Sequence, residues 1–180
     1  MFVSLNEEEW KALESVLEIK HFKKGEFLIE SGQVENFMSF VTEGLARIWY
    51  PLDGEEHSVA FTYEGFYACS YNSFTSRTPS KYSIEALEDV TLIGMNYEDE
   101  QELLNRFKTF ERWARLEVEA AYFMAEQREI SILTYSAKER YERLWKNSPR
   151  LFQRVPGKYL AQYLGMTAET FSRIRKNVEL

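Results

Sequence analysis

The segment RVPGKYLAQYLGMTAETFSRIRKN, residues Arg154 to Asn177, concentrates side chains suited to reading a nucleic acid. The Arg173 guanidinium can fork onto a guanine edge, and the Glu169 carboxylate can accept from cytosine. Lys158, Arg175 and Lys176 can neutralise phosphates, while Thr167, Thr170 and Ser172 can donate to phosphate oxygens. No comparable constellation suggests catalysis. There is no P-loop, no nucleophile beside a base and no specific pair of carboxylates. His21 and His57 lack metal-ligand spacing, so neither a catalytic nor a metal site is expected, and no cofactor.

Such side chains need a rigid carrier. Pro156 suits the first turn of a helix, and Leu160, Ala161 and Leu164 give that helix an apolar face. Gly165 can take the positive φ that ends it. Thr167 then caps a second helix from Ala168, with Phe171 and Ile174 turned inward. Two helices joined by a short turn containing glycine form a helix-turn-helix, whose second helix enters a major groove.

Upstream, Ser136-Ala-Lys-Glu139 is a capping box and starts a helix that runs to about Lys146. The break at Tyr135-Ser136 reads as a hinge. Before it, residues Thr109 to Thr134 read as one long helix. Phe110, Trp113, Leu116, Ala120, Phe123, Gln127 and Ile130 follow 3-4 spacing along it, the pattern of a dimer seam. From Ile19 to Met95 short β-rich stretches alternate with glycines, as in an all-β roll, and Asp53-Gly54 marks a hairpin. Asn96 is placed to cap the acidic turn that follows it. Asn6 to Leu17 reads as an amphipathic helix with Trp10, Leu13 and Leu17 on one side.

The net charge of −7 is unevenly spread. Residues 138–180 hold 10 Lys+Arg and 4 Asp+Glu, while the rest is acidic, which suits an acidic body with a nucleic-acid-binding tail. The single cysteine, Cys69, makes no internal disulfide, and a reducing cytoplasm is the expected location. The acidic N-terminus does not read as a secretory signal, and no apolar run is long enough to span a membrane.

The segment LAQYLGMTAETFSRIRK closely resembles the Crp/Fnr family of transcription regulators. KKGEFLIESG and VTEGLARIWYPLDGEE resemble that family's cyclic-nucleotide-binding roll, and the order of parts matches over nearly the whole chain. The resemblance implies an α+β fold: an antiparallel β-roll sensor with flanking helices at 1–108, a dimerisation helix and hinge at 109–135, and a helix-turn-helix domain at 136–180. It implies a homodimer on double-stranded DNA, with recognition helices about 34 Å apart and RNA polymerase among its partners. Where the family's recognition helix opens with Arg-Glu-Thr, this chain has Ala168, Glu169 and Thr170, with Arg173 retained. The chain as given leaves no room for the family's wing.

The resemblance also locates an effector pocket. The family's Gly-Glu pair becomes Cys69 and Ser70, and its Arg-Ser pair becomes Ser80 and Lys81. Both charges that specify cyclic AMP are gone. Three readings stay open: a structural pocket without effector, a different small molecule served by Arg77 or Lys81, or cyclic AMP held in an altered way. Tyr71 and Tyr82 would add hydroxyls. On a strand, Lys81 would face away from Ser80. A competing function is a ligand sensor whose helical tail binds a protein. A weaker one is an enzyme in the roll, which would need a metal.

Overall fold

The computed structural model describes residues 3–178, so the expected domain limits at residues 1 and 180 lie outside the described residues. The chain divides into two compact units, one of residues 1–48 and 61–122, the other of residues 49–60 and 123–180.

The first unit opens with helix α1, Glu7–Val16, whose Asn6 side chain accepts from the Glu9 amide while Glu9 reaches back to the Asn6 amide. This capping box fixes the helix start. Leu13 is buried, but Trp10 is 55% exposed, so the expected apolar side does not include it. The strands are β1 (Glu18–Phe22), β2 (Phe27–Ile29), β3 (Phe37–Glu43), β4 (Leu45–Leu52), β5 (Glu55–Tyr63), β6 (Ser83–Ala86) and β7 (Val90–Asn96). They form two sheets, in the orders β1-β7-β3 and β2-β6-β4-β5, with β7 antiparallel to both its neighbours. Ile29, Val41, Ala46, Ile84, Val90 and Leu92 fill the roll between them. At Gly94 a Cβ would lie 2.1 Å from the Met38 carbonyl oxygen, so only glycine lets β3 and β7 close to this distance.

One element was absent from the all-β reading of residues 19–95. Helix α2, Tyr71–Ser76, interrupts the path from β5 to β6. Its six residues are too few to show helical periodicity.

Helices α3 (Tyr97–Arg106) and α4 (Lys108–Thr134) follow. Asn96 caps α3 as expected, accepting from the Asp99 amide at 3.1 Å. Phe110 is 2% exposed and packs with Leu13, Met95 and Leu103 into a cap of helices on the roll.

In the second unit, α5 (Ala137–Asn147), α6 (Leu151–Arg154), α7 (Gly157–Tyr163) and α8 (Ala168–Val178) enclose an aromatic core. Tyr141 is fully buried, its ring 5.1 Å from Phe152 and 5.3 Å from Phe171. Ser136 and Glu139 make the expected capping box on α5. The short α6 carries too little pattern to have been read.

A candidate nucleic-acid interface and a filled effector pocket

The α7–α8 pair is a helix-turn-helix. Leu160, Ala161, Leu164 and Phe171 are buried beneath it. Gly165 has φ 63° and ends α7. The Met166 amide returns to the Ala161 carbonyl at 3.0 Å, and the Gly165 amide to that of Gln162 at 3.0 Å, which closes the helix end. Thr167 caps α8, accepting from the Thr170 amide at 3.2 Å.

Sequence reasoning missed the residue that braces this turn. Arg140 on α5 donates to the carbonyls of Leu164 at 2.7 Å, Gly165 at 3.2 Å and Tyr135 at 2.5 Å. Carbonyls at a helix C-terminus carry partial negative charge, so a guanidinium there satisfies and orients them. In the sequence Arg140 is one more basic residue of a basic tail. Gln162 was also missed. Its amide oxygen accepts from the Ser58 amide at 3.1 Å and hydroxyl at 2.8 Å, and its nitrogen donates to the Glu56 carbonyl at 2.8 Å. Both ends of that contact belong to the second unit.

Ala168, Glu169, Ser172, Arg173, Lys176 and Asn177 line an open concavity along α8, opposite buried Phe171. Arg175 is exposed on the same helix, and Lys158 is exposed at the start of α7. The structure therefore gathers Glu169, Ser172, Arg173 and Lys176 on one surface. Thr167 and Thr170 play another part, because their hydroxyls bond each other at 3.3 Å as part of the cap. The backbone amide of Glu169 and the hydroxyl of Thr167 hold the Glu169 carboxyl below its ordinary range, so it stays ionised.

The pocket residues stand differently. Ser70 and Ser80, which the resemblance placed at the effector pocket, bond each other at 2.8 Å and are 1% and 4% exposed. The Ser80 hydroxyl also donates to the Tyr82 carbonyl at 2.7 Å. Cys69 is buried beside Met38 and Phe74, and burial pushes its thiol pKa up, so it stays protonated. Tyr71 is 44% exposed, and Tyr82 packs against the roll core. Strand β6 begins only at Ser83, so Ser80 and Lys81 precede it, yet Ser80 is buried and Lys81 exposed. Arg77 does not reach this pair. It donates to the carbonyls of Glu35 at 2.7 Å and Phe74 at 3.1 Å, and lies 4.1 Å over the Tyr97 ring. Those bonds, with one to the Asn36 side chain, tie Arg77 to the Glu35–Asn36 segment.

The seam on α4 also needs correction at its start. Phe110 is buried within its own protomer, and Trp113 stacks by Phe110 and Phe40 while its Nε1 donates to Glu117 at 3.2 Å. Phe110 does not face outward, and Trp113 is only partly exposed. Leu116 is half-buried, whereas Ala120, Phe123, Gln127 and Ile130 are exposed. Tyr122, Phe123 and Met124 are 65%, 61% and 61% exposed, far beyond what a helix leaves in water without reason.

Among the described residues no group of three or more His, Cys, Asp or Glu is placed to hold a metal, and no helix is long and apolar enough to cross a membrane.

Comparison with known proteins agrees with this geometry. Residues 19–107 match the family model for the cyclic nucleotide-binding domain. FixK2 from Bradyrhizobium japonicum superposes with a TM-score of 0.79 at 19% identity, over 91% of this chain and 85% of that one. The catabolite activator protein of Thermus thermophilus gives 0.60 at 20% identity, over 97% and 84%. A structure from Eubacterium rectale, assigned to the Crp/Fnr family of transcriptional regulators, gives 0.72 at 16% identity, over 97% and 84%. No curated protein matches the sequence.

Proposed function

We propose that this chain, whose residues 19–107 match the cyclic nucleotide-binding domain model and whose fold is that of the Crp/Fnr structures, is a sequence-specific DNA-binding transcription regulator that acts as a homodimer. The observation that carries this reading is the outer face of α8. Glu169, Ser172, Arg173 and Lys176 stand together in water on a helix whose other face is pinned by Phe171 and whose start is capped by Thr167. Such a face fits a major groove, with Arg173 toward a base edge and Lys176 toward phosphate. Lys158 and Arg175 add charge at its margins.

The dimer is proposed on α4. Phe123 and Ile130, with Ala120 and Gln127, form the outward stripe, and Leu116 closes its inner end. Pairing would cover the aromatic surface that one protomer leaves in water.

Cyclic AMP is not the effector in this reading. Its phosphate leaves water only against charged donors, and Ser80 stands where an arginine would be needed. Calorimetric titration with cyclic AMP is expected to show nothing tighter than about 100 μM. Selection of bound duplexes from a random pool tests the whole reading. A palindromic product supports it, and failure to retain any duplex at low salt rejects it.

A further inference from the structure

Glu35 lies between β2 and β3 and is 7% exposed. A buried carboxylate is costly unless its oxygens are well bonded: burial pushes the Glu35 carboxyl above its ordinary range, and the amides of Phe37, Ser70 and Asn36 act against that shift. Here one oxygen accepts from the amides of Asn36 and Phe37, both at 3.0 Å, and the other from the Ser70 amide at 3.2 Å. Its backbone is tied as well. The Glu35 amide donates to the Ser73 hydroxyl at 2.9 Å, and the Glu35 carbonyl accepts from Arg77 at 2.7 Å. Arg77 also donates to the Asn36 side chain. The α2 segment is thus tied to Glu35 and Asn36 at its start through Ser70, in its middle through Ser73, and at its end through Arg77. Arg77 has φ 57°, a conformation that residues other than glycine rarely adopt, so the surroundings impose this arrangement.

A cyclic nucleotide is an anion, and a domain that receives one must offer its phosphate N–H and O–H donors. In this chain those donors have partners from within. The Ser70 amide holds the Glu35 carboxylate, and the hydroxyls of Ser70 and Ser80 hold each other. We propose that Glu35 is a built-in anion standing in for a bound nucleotide, holding residues 70–77 in a single arrangement so that the regulator binds DNA without any small molecule. The DNA clause rests on the function proposed above; the holding clause does not.

The test uses the full-length protein, its selected duplex and amide exchange. Glu35→Ala is expected to speed exchange at Asn36, Phe37 and Ser70 and to weaken DNA binding about tenfold or more, the effect of losing charge-assisted bonds to a buried group. Sodium propionate, the fragment the substitution removes, should restore both at roughly tens of millimolar, where sodium chloride of equal ionic strength does not. Glu35→Gln keeps the side chain's shape without its charge. It should show a smaller loss that propionate does not repair, and it carries the test if Glu35→Ala fails to fold. Wild-type exchange rates and affinity in both variants would overturn the proposal. So would cyclic AMP or cyclic GMP slowing exchange at Ser70 and tightening DNA binding in the unaltered protein. If the unaltered protein binds no duplex, the DNA reading fails by itself, and the exchange measurements still decide whether Glu35 holds the segment.

Discussion

Ser70 and Ser80 in the roll, and Ser172 and Arg173 on α8, are polar side chains in two different states. In the roll they are buried and bonded to each other. On α8 they are exposed along an open concavity. A polar group removed from water must find a partner, and the O–H donors that Ser70 and Ser80 spend inside the chain are not offered to an anionic ligand. Residue types alone do not show which state applies. The partners and the burial do.

The contrast can be broken most severely at the base of α8. Phe171→Ala removes the ring that packs with Tyr141 and Phe152 under the exposed face. It should destabilise the second unit by about 3–5 kcal/mol and abolish DNA binding while amide protection in β3 and β7 persists. Loss of protection in both units together would show that they are not independently stable.

The next effect is on assembly. Phe123→Glu should move the proposed dimer toward monomer by about 3 kcal/mol, read by sedimentation at micromolar concentration. Phe110→Ala is its control. It should lower thermal stability by about the same amount without specifically favouring monomer, because Phe110 is buried inside one protomer. Equal monomerisation by both would place the seam where the sequence first suggested it.

Smaller effects sharpen the reading of the open face. Arg173→Ala should cost about 1–3 kcal/mol on the selected site and relax preference at one base position. Lys176→Ala should weaken all duplexes alike and reduce the salt slope by about one. Ser136→Ala, which is not on that face, should cost about 1 kcal/mol in stability and leave base preference unchanged. The bonds from the Ser136 hydroxyl and amide hold the Glu139 carboxyl below its ordinary range. That contribution is present above the unfolded carboxylate pKa and is lost as pH falls through the folded value. Acid titration followed by helix α5 signals should therefore lose part of its transition in Ser136→Ala.

Local signals were legible in the sequence. The caps at Asn96, Ser136 and Thr167 and the turn at Gly165 depend on residues close in the chain, and each occurs as read. Contacts made at a distance were not legible. Glu35 looks like one acidic residue among many until Ser70, 35 positions later, is seen to donate to it. Phe110 fits the same 3-4 pattern as Phe123, but periodicity does not say whether a helix face meets its own protomer or another. That distinction came from the cap of Leu13, Met95 and Leu103 over the roll.

Gln162 has a further consequence. Strand β5 is the last in its sheet, so its outer side presents main-chain groups to whatever approaches. The Glu56 carbonyl and the Ser58 amide, two residues apart, are the pair a neighbouring strand would engage. The Gln162 side-chain amide engages both, acting as a one-residue imitation of that strand. A β5 occupied in this way is closed at that point to strand addition from another molecule. Gln162→Ala, which uncovers that part of the edge, should raise light scattering on mild heating before any loss of helix signal.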